Sequence, residues 1–128
     1  MIVLDTSAII ALLLSEEKAD QIADALSNED RIMISAGTLA ETLIVASHRG
    51  LTEEVENLIK AIGVEVEVVG ADKARDVWVA YSKWGKGVHP ASLNFGDCFA
   101  FATAKSNNAP LLFVGDDFSR TDIAKALA

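Results

Sequence analysis

Short β-rich runs alternate with longer helical patterns along the whole chain, and this alternation restricts the fold more than any other feature. The runs are Met1–Leu4 (MIVL), Arg31–Ser35 (RIMIS), Val64–Val69 (VEVEVV) and Ala109–Gly115 (APLLFVG). Between them, apolar residues recur at helical spacing. Ala8–Leu14 reads as a buried helix, and Ser15-Glu16-Glu17 opens a second that turns Ile22 and Leu26 inward. Ser35 and Thr38 are cap candidates for a helix carrying Leu39, Leu43 and Ala46, which stops at His48-Arg49-Gly50. Thr52–Ile62 is amphipathic, and Asp72–Trp84 places Ala74, Val77 and Tyr81 at helical spacing. Gly85–Leu93 reads as a loop, after which Asn94 caps a helix running through Asp97, Phe101, Ala104 and Lys105. Asp116–Thr121 reads as a turn and Asp122–Ala128 as a short terminal helix. Strands separated by helices pair in parallel, so the expectation is an α/β fold around a parallel sheet with four clear strands.

The 128 residues are one domain's worth of chain, and no stretch reads as a linker. With 51% hydrophobic residues, disorder is excluded as the main state. The single cysteine, Cys98, excludes a disulfide framework and a cysteine-rich zinc site, and its place in a helix beside Phe99 reads as core. The N-terminus has no basic leader, and Asp5 interrupts its apolar run, so it reads as neither a signal peptide nor a membrane span. A cytoplasmic protein is expected. The net charge of −8 argues against a general nucleic-acid binder. Any nucleic-acid reading must supply local cations to attract a polyanion.

The position of certain acids points to a chemistry that would supply them. Asp5 ends the first run, and Asp116 and Asp117 end the last. Ligands of an open parallel sheet bind outside the carboxyl ends of its strands. Glu41 lies early in the helix after RIMIS, and Asp97 lies in the first turn of another helix, so both starts face the same edge. Taken singly, each has an ordinary explanation: a turn cap, a solvated helix acid, a first-turn acid favoured by the helix dipole. Together they predict one carboxylate-lined cleft. Neighbouring carboxylates repel, and one of them normally takes up a proton. No basic residue adjoins these acids in sequence; Arg120 is the nearest. A hard divalent cation resolves the conflict, because Mg²⁺ and Mn²⁺ select oxygen ligands. Such a centre activates water and stabilises a phosphodiester undergoing hydrolysis.

The segments LDTSA (Leu4–Ala8), Ala40-Glu41, LNFGDCFAFATAK (Leu93–Lys105) and LLFVGDDFSRTDIAKA (Leu111–Ala126) resemble the PIN-domain ribonucleases, with VapC-type toxins of bacterial toxin–antitoxin systems the nearest likeness. The resemblance spans nearly the whole chain in order. It implies a single PIN-like domain over residues 1–128, a three-layer fold with a four- to five-stranded parallel sheet flanked by helices. It further implies a Mg²⁺-dependent endoribonuclease, with Mn²⁺ as substitute, that cleaves RNA (tRNA, rRNA or mRNA) and inhibits translation. Asp5, Glu41 and Asp97 match the metal-holding acids, and the GDDF segment supplies the fourth through Asp116 or Asp117. Ser7 matches the small hydroxyl beside the first aspartate, with Thr6 its neighbour, and the likeness makes both candidates for facing substrate. A homodimer and a cognate antitoxin whose tail blocks the acidic groove are the implied partners, with no membrane role.

Outside these blocks, Lys73, Arg75, Lys83 and Lys86 share a segment with Trp78, Tyr81 and Trp84. Aromatic stacking with phosphate contacts is one way of holding single strands; a solvated helix with a packed aromatic face is the alternative. Trp84, Lys86 and Arg120 are the candidates for touching RNA. Ala8–Leu14 and Thr52–Ile62 offer apolar surface either to a protein partner or to the core. Two phosphotransfer layouts fit poorly. A haloacid-dehalogenase phosphatase needs an aspartate where Ser7 stands, and a receiver domain needs a lysine after the last strand, where this chain has LLFVGDD. A non-catalytic RNA- or protein-binding module would bind no divalent metal.

Overall fold

The computed structural model describes residues 1–127; Ala128, placed in the terminal helix by sequence, lies outside them. Among the described residues, four strands form the sheet: β1 (Ile2–Leu4), β2 (Ile32–Ser35), β3 (Glu65–Glu67) and β4 (Leu111–Leu112). Their order is β3-β2-β1-β4 and every pairing is parallel. Val3 pairs with Met33 on one side and with Leu111 on the other. Chain direction across the sheet therefore reverses at β1, and the carboxyl ends of β1 and β4 lie side by side at the point where such sheets bind ligands.

Among the described residues, six helices flank the sheet: α1 (Thr6–Leu13), α2 (Ala19–Ser27), α3 (Ala36–His48), α4 (Thr52–Ala61), α5 (Ala71–Trp84) and α6 (Phe95–Ser106). Alternation along the strands divides the core in two. Val3, Met33 and Leu111 face α5 and α6, where they join Leu93, Phe101 and Phe118. Ile2, Leu4, Ile34 and Leu112 face the other way and pack with Ile9, Ile22 and Val55. This is the expected three-layer arrangement. Helix α3 touches both layers, α1 and α4 on one side and α6 on the other.

Several boundaries differ from the sequence reading. VEVEVV forms a strand only over Glu65–Glu67, and APLLFVG only over Leu111–Leu112. Edge position explains the first, since β3 pairs with β2 alone. The segment 123–127 is not helical. It runs beside β4, where Leu111 N–H donates to Ala124 O at 2.9 Å and Ala126 N–H donates to Leu111 O at 3.0 Å. Among the described residues, a single bridge between Leu111 and Lys125 is all that exists of a fifth strand. On α5 the inward face is Val77 and Ala80, with Trp84 partly buried; Ala74 and Tyr81 are exposed. Cys98 is fully buried, as expected.

Candidate active site

Asp5 follows β1 directly and caps α1. Its Oδ2 accepts from Ser7 N–H at 3.1 Å and from the Ser7 hydroxyl at 2.6 Å. The residue is 5% exposed, and its Oδ1 is buried with no hydrogen-bond partner. Burial pushes the Asp5 carboxyl above its ordinary value. The bonds from Ser7 oppose this, and the charges of Glu41 and Asp117 add to it.

Ser7 does more than orient Asp5. Its oxygen also accepts Val114 N–H at 3.0 Å, tying the chain after β4 to the start of α1. Its donor and one acceptor position are thus already engaged.

Glu41 lies on α3, half-buried, and accepts from the Thr6 hydroxyl at 2.7 Å through Oε1. Thr6 was expected to face substrate. Instead it is buried, and its oxygen lies 2.9 Å from the Thr42 hydroxyl as well as against Glu41, which leaves it little to offer RNA. Gly96 explains how Glu41 fits over α6. A Cβ at this position would overlap the Glu41 carboxylate, lying 2.8 Å from its Cδ.

Asp97 occupies the third position of α6 and is 7% exposed. It forms a capping box with Asn94: Asn94 Oδ1 accepts Asp97 N–H at 2.8 Å, and Asp97 Oδ2 accepts Asn94 N–H at 3.0 Å. Burial raises its pKa to about 7. The Asn94 bond opposes the rise, and the charges of Asp5, Asp117 and Glu41 reinforce it.

Of the two aspartates of GDDF, Asp117 is the one whose charge raises the pKa of both Asp5 and Asp97. The Asp116 carbonyl instead starts a turn, accepting from the Ser119 backbone and hydroxyl. Its side chain lines a separate cavity with Lys18 and Lys125.

Asp5 and Asp97 therefore both feel the charges of Glu41 and Asp117, and among the described residues no lysine or arginine forms an ion pair with any of the four. Nor, among the described residues, do three of them close around a single point as a finished metal site. Each of three is held by a neighbour, Asp5 by Ser7, Glu41 by Thr6 and Asp97 by Asn94. The residues fit a divalent cation nonetheless. Asp5 Oδ1 is a buried carboxylate oxygen without a partner, a costly arrangement that a hard cation relieves.

The remaining candidates make contacts of their own. Arg120 is exposed, and its Nη1 reaches Pro90 O at 3.4 Å, which bridges the turn after β4 to the loop before α6. Lys86 is exposed on that loop. Trp84 is packed: its ring meets His89 edge-on at 4.7 Å and Phe101 at 6.2 Å, with the Lys83 ammonium 5.1 Å from its centre. It lines a cavity of about 330 Å³ between α5 and α6 that none of the four acids lines.

Of the two readings of the apolar helices, packing into the core is the one seen. Val55 of α4 and most of α1 are buried in the core. The exposed apolar residues near the acids are Ile44 (61% exposed) and Phe95 (70%). They line a cavity of about 360 Å³ beside Glu41, together with Gly37, Ala40 and Phe99.

The PIN domain family profile matches residues 2–124. The chain belongs to the PIN domain family. Among curated proteins it is 38% identical over 128 residues to ribonuclease VapC42 of Mycobacterium tuberculosis, covering 97% of this chain and 98% of that one. It is 40% identical over 129 residues to ribonuclease VapC28 of the same organism, covering 98% and 97%. At this identity it belongs with the VapC branch of PIN domains. Solved structures agree on the fold. VapC20 of M. tuberculosis, a toxin that cleaves the sarcin-ricin loop, superposes with a TM-score of 0.79 at 18% identity over the full length of both chains. VapBC2 of Rickettsia felis, solved on a DNA fragment from its promoter, gives 0.69 at 19% identity, covering 98% of this chain and 96% of that one.

Reading the sequence missed three residues of this PIN domain's site. Asn94 was seen as a cap, but its reciprocal bond with Asp97 was not; the spacing of three between them is the available signal. Thr42 and Gly96 carry no signal in isolation, because what they do depends on the approach of α1 to α3 and of α3 to α6. Among the described residues, no helix is long and apolar enough to cross a membrane.

Proposed function

We propose that this PIN domain is a divalent-metal-dependent endoribonuclease, the toxin of a type II toxin–antitoxin pair, that inhibits translation by hydrolysing RNA phosphodiester bonds. The observation that carries the reading is Asp5. It is a buried carboxylate with an unpartnered oxygen, coupled to Glu41, Asp97 and Asp117 with no ion-paired cation. The VapC relatives, named as ribonucleases and matched over nearly full length, support the same reaction. PIN-domain ribonucleases as a family depend on divalent metal.

Asp5, Glu41, Asp97 and Asp117 would hold Mg²⁺, with Mn²⁺ as substitute. That ion supplies a Lewis acid for the phosphate and lowers the pKa of water. Asp116 has no part in this set. The protein's own contribution is rigidity and charge placement. Ser7 fixes the Asp5 carboxylate, and the capping box fixes Asp97 at a helix start, where the dipole favours anions. Arg120 and Lys86, both exposed, take flanking phosphates of a single strand of tRNA, rRNA or mRNA. Trp84 shapes the base of the loop carrying Lys86 and does not stack on RNA.

The apolar cavity at Ile44 and Phe95 supports a protein partner on the face beside Glu41. A cognate antitoxin is the partner in solved relatives from Rickettsia felis and Salmonella typhimurium, both VapBC complexes. A homodimer and a cytoplasmic location complete the proposal. Sequencing RNA ends after induced expression tests it. Discrete new 5′ ends are expected with the intact chain and none with Asp5→Asn; identical end profiles for both would refute the reaction.

A further inference from the structure

We propose that the Thr6 and Thr42 hydroxyls form a positioning pair that holds the Glu41 carboxylate in place for the metal. The inference rests on reading the acids as a metal centre. Thr6 starts α1, one residue after Asp5, while Thr42 and Glu41 are neighbours on α3. Their side chains meet in the interior: Thr6 Oγ1 lies 2.7 Å from Glu41 Oε1 and 2.9 Å from Thr42 Oγ1. Thr42 Oγ1 in turn lies 2.8 Å from the Thr38 carbonyl.

Counting hydrogens fixes the roles. Two hydroxyls supply two hydrogens, and each hydroxyl retains lone pairs to accept with. A carboxylate is the strongest acceptor present, so the Thr6 hydrogen goes to Glu41. The Thr42 hydrogen is then shared between the Thr38 carbonyl and the Thr6 oxygen. Thr42 thereby stops the Thr6 hydroxyl from rotating away. Both threonines are buried, which limits the access of water to their hydroxyls. On the opposite side, Gly96 leaves the space that the carboxylate fills. Glu41 is thus confined between α1 and α6, with Oε1 bonded and Oε2 against Gly96. The device links the helix that Asp5 caps to the helix that carries Glu41, so the two acids keep a fixed relation. Neither threonine touches substrate; both act through Glu41.

Isothermal titration of Mn²⁺ into the full chain, with cleavage kinetics on the same preparations, tests the role. Thr6→Val keeps the side-chain volume and removes the hydroxyl. It is expected to weaken Mn²⁺ binding by about 10–100-fold, the range for groups that orient metal ligands, and to lower kcat with little change in KM. Thr6→Ser restores both. Thr42→Val leaves Thr6 in place and frees its hydroxyl, giving a smaller loss of the same kind; it decides the matter if Thr6→Val does not fold. Wild-type Mn²⁺ affinity in folded Thr6→Val, or in Thr42→Val if the first does not fold, overturns the proposal. So does an equal loss in Thr6→Val and Thr6→Ser, which marks a packing effect. Asp5→Asn separates the two readings. If it loses Mn²⁺ binding while Thr6→Val does not, only the positioning role fails. If it binds Mn²⁺ like wild type, the metal centre fails and this role with it.

Discussion

The Ser7 hydroxyl joins Asp5 to the segment that leaves the neighbouring strand β4: it donates to Asp5 Oδ2 at 2.6 Å and accepts Val114 N–H at 3.0 Å. One small side chain thereby sets the first acid of the site and anchors the segment that leads to Asp117. Ser7→Ala removes both bonds and leaves a backbone N–H without its partner. A loss of about 1–3 kcal/mol in unfolding free energy is expected, measured by urea denaturation of metal-free protein. Because the Ser7 bonds hold the Asp5 pKa down, the variant also needs a higher pH to bind Mn²⁺.

The Asp97 pKa of about 7 makes a claim about pH and stability. An unfolded chain releases this proton near about pH 4. Between those values the folded protein binds more protons than the unfolded one, so its stability falls as pH rises and grows as pH falls. Raised Asp5 acts in the same direction. Metal-free protein is therefore expected to melt at higher temperature at pH 5.5 than at pH 7.5. Asp97→Asn flattens that difference. Calorimetry in the presence of a chelator checks both.

Protons and metal compete for the same carboxylates, so Mg²⁺-dependent cleavage weakens as pH falls below about 7. Raising Mg²⁺ at pH 6 is expected to recover much of the lost rate. A rate at pH 6 that no concentration of Mg²⁺ changes would place the titrating group elsewhere.

Asp116 and Asp117 are adjacent in sequence and unequal in the structure. Asp117→Asn is expected to reduce cleavage at least 10-fold at fixed Mg²⁺, consistent with loss of a group that tunes the metal. Asp116→Asn leaves the rate close to wild type, since Asp116 contributes its backbone to the turn. Steady-state kinetics on the pair of variants decides between them.

Gly96→Ala separates stability from function. Within a helix the change favours folding by about 0.5–1 kcal/mol through backbone entropy. The new methyl would overlap Glu41, so the carboxylate must move. Cleavage is expected to collapse while circular dichroism stays native. Full activity in Gly96→Ala would mean that Glu41 does not need its observed place.

The sheet and the acids were legible in the sequence because both are matters of order along the chain. Asp5 after MIVL and the aspartates after LLFV had to share an edge once the strands were parallel. The length of β4 was not legible. Phe113 and Val114 look like strand residues, but Val114 N–H goes to Ser7 rather than to a neighbouring strand. The terminal helix was misread for a related reason. Isolated propensity favoured it, and pairing of Ala124 and Ala126 with Leu111 overrode it. Trp84 looked free because sequence cannot show His89 folding back against its ring. The roles of Thr6, Thr42 and Gly96 depend on how three helices approach one another, which no local pattern encodes.

The central claim concerns the empty side of one carboxylate, and diffraction at the manganese edge from crystals soaked in Mn²⁺ tests it most directly. The account predicts an anomalous peak about 2.1 Å from Asp5 Oδ1, within reach of Asp97. An occupied Mn²⁺ elsewhere, with Asp5 Oδ1 still bare, would contradict it.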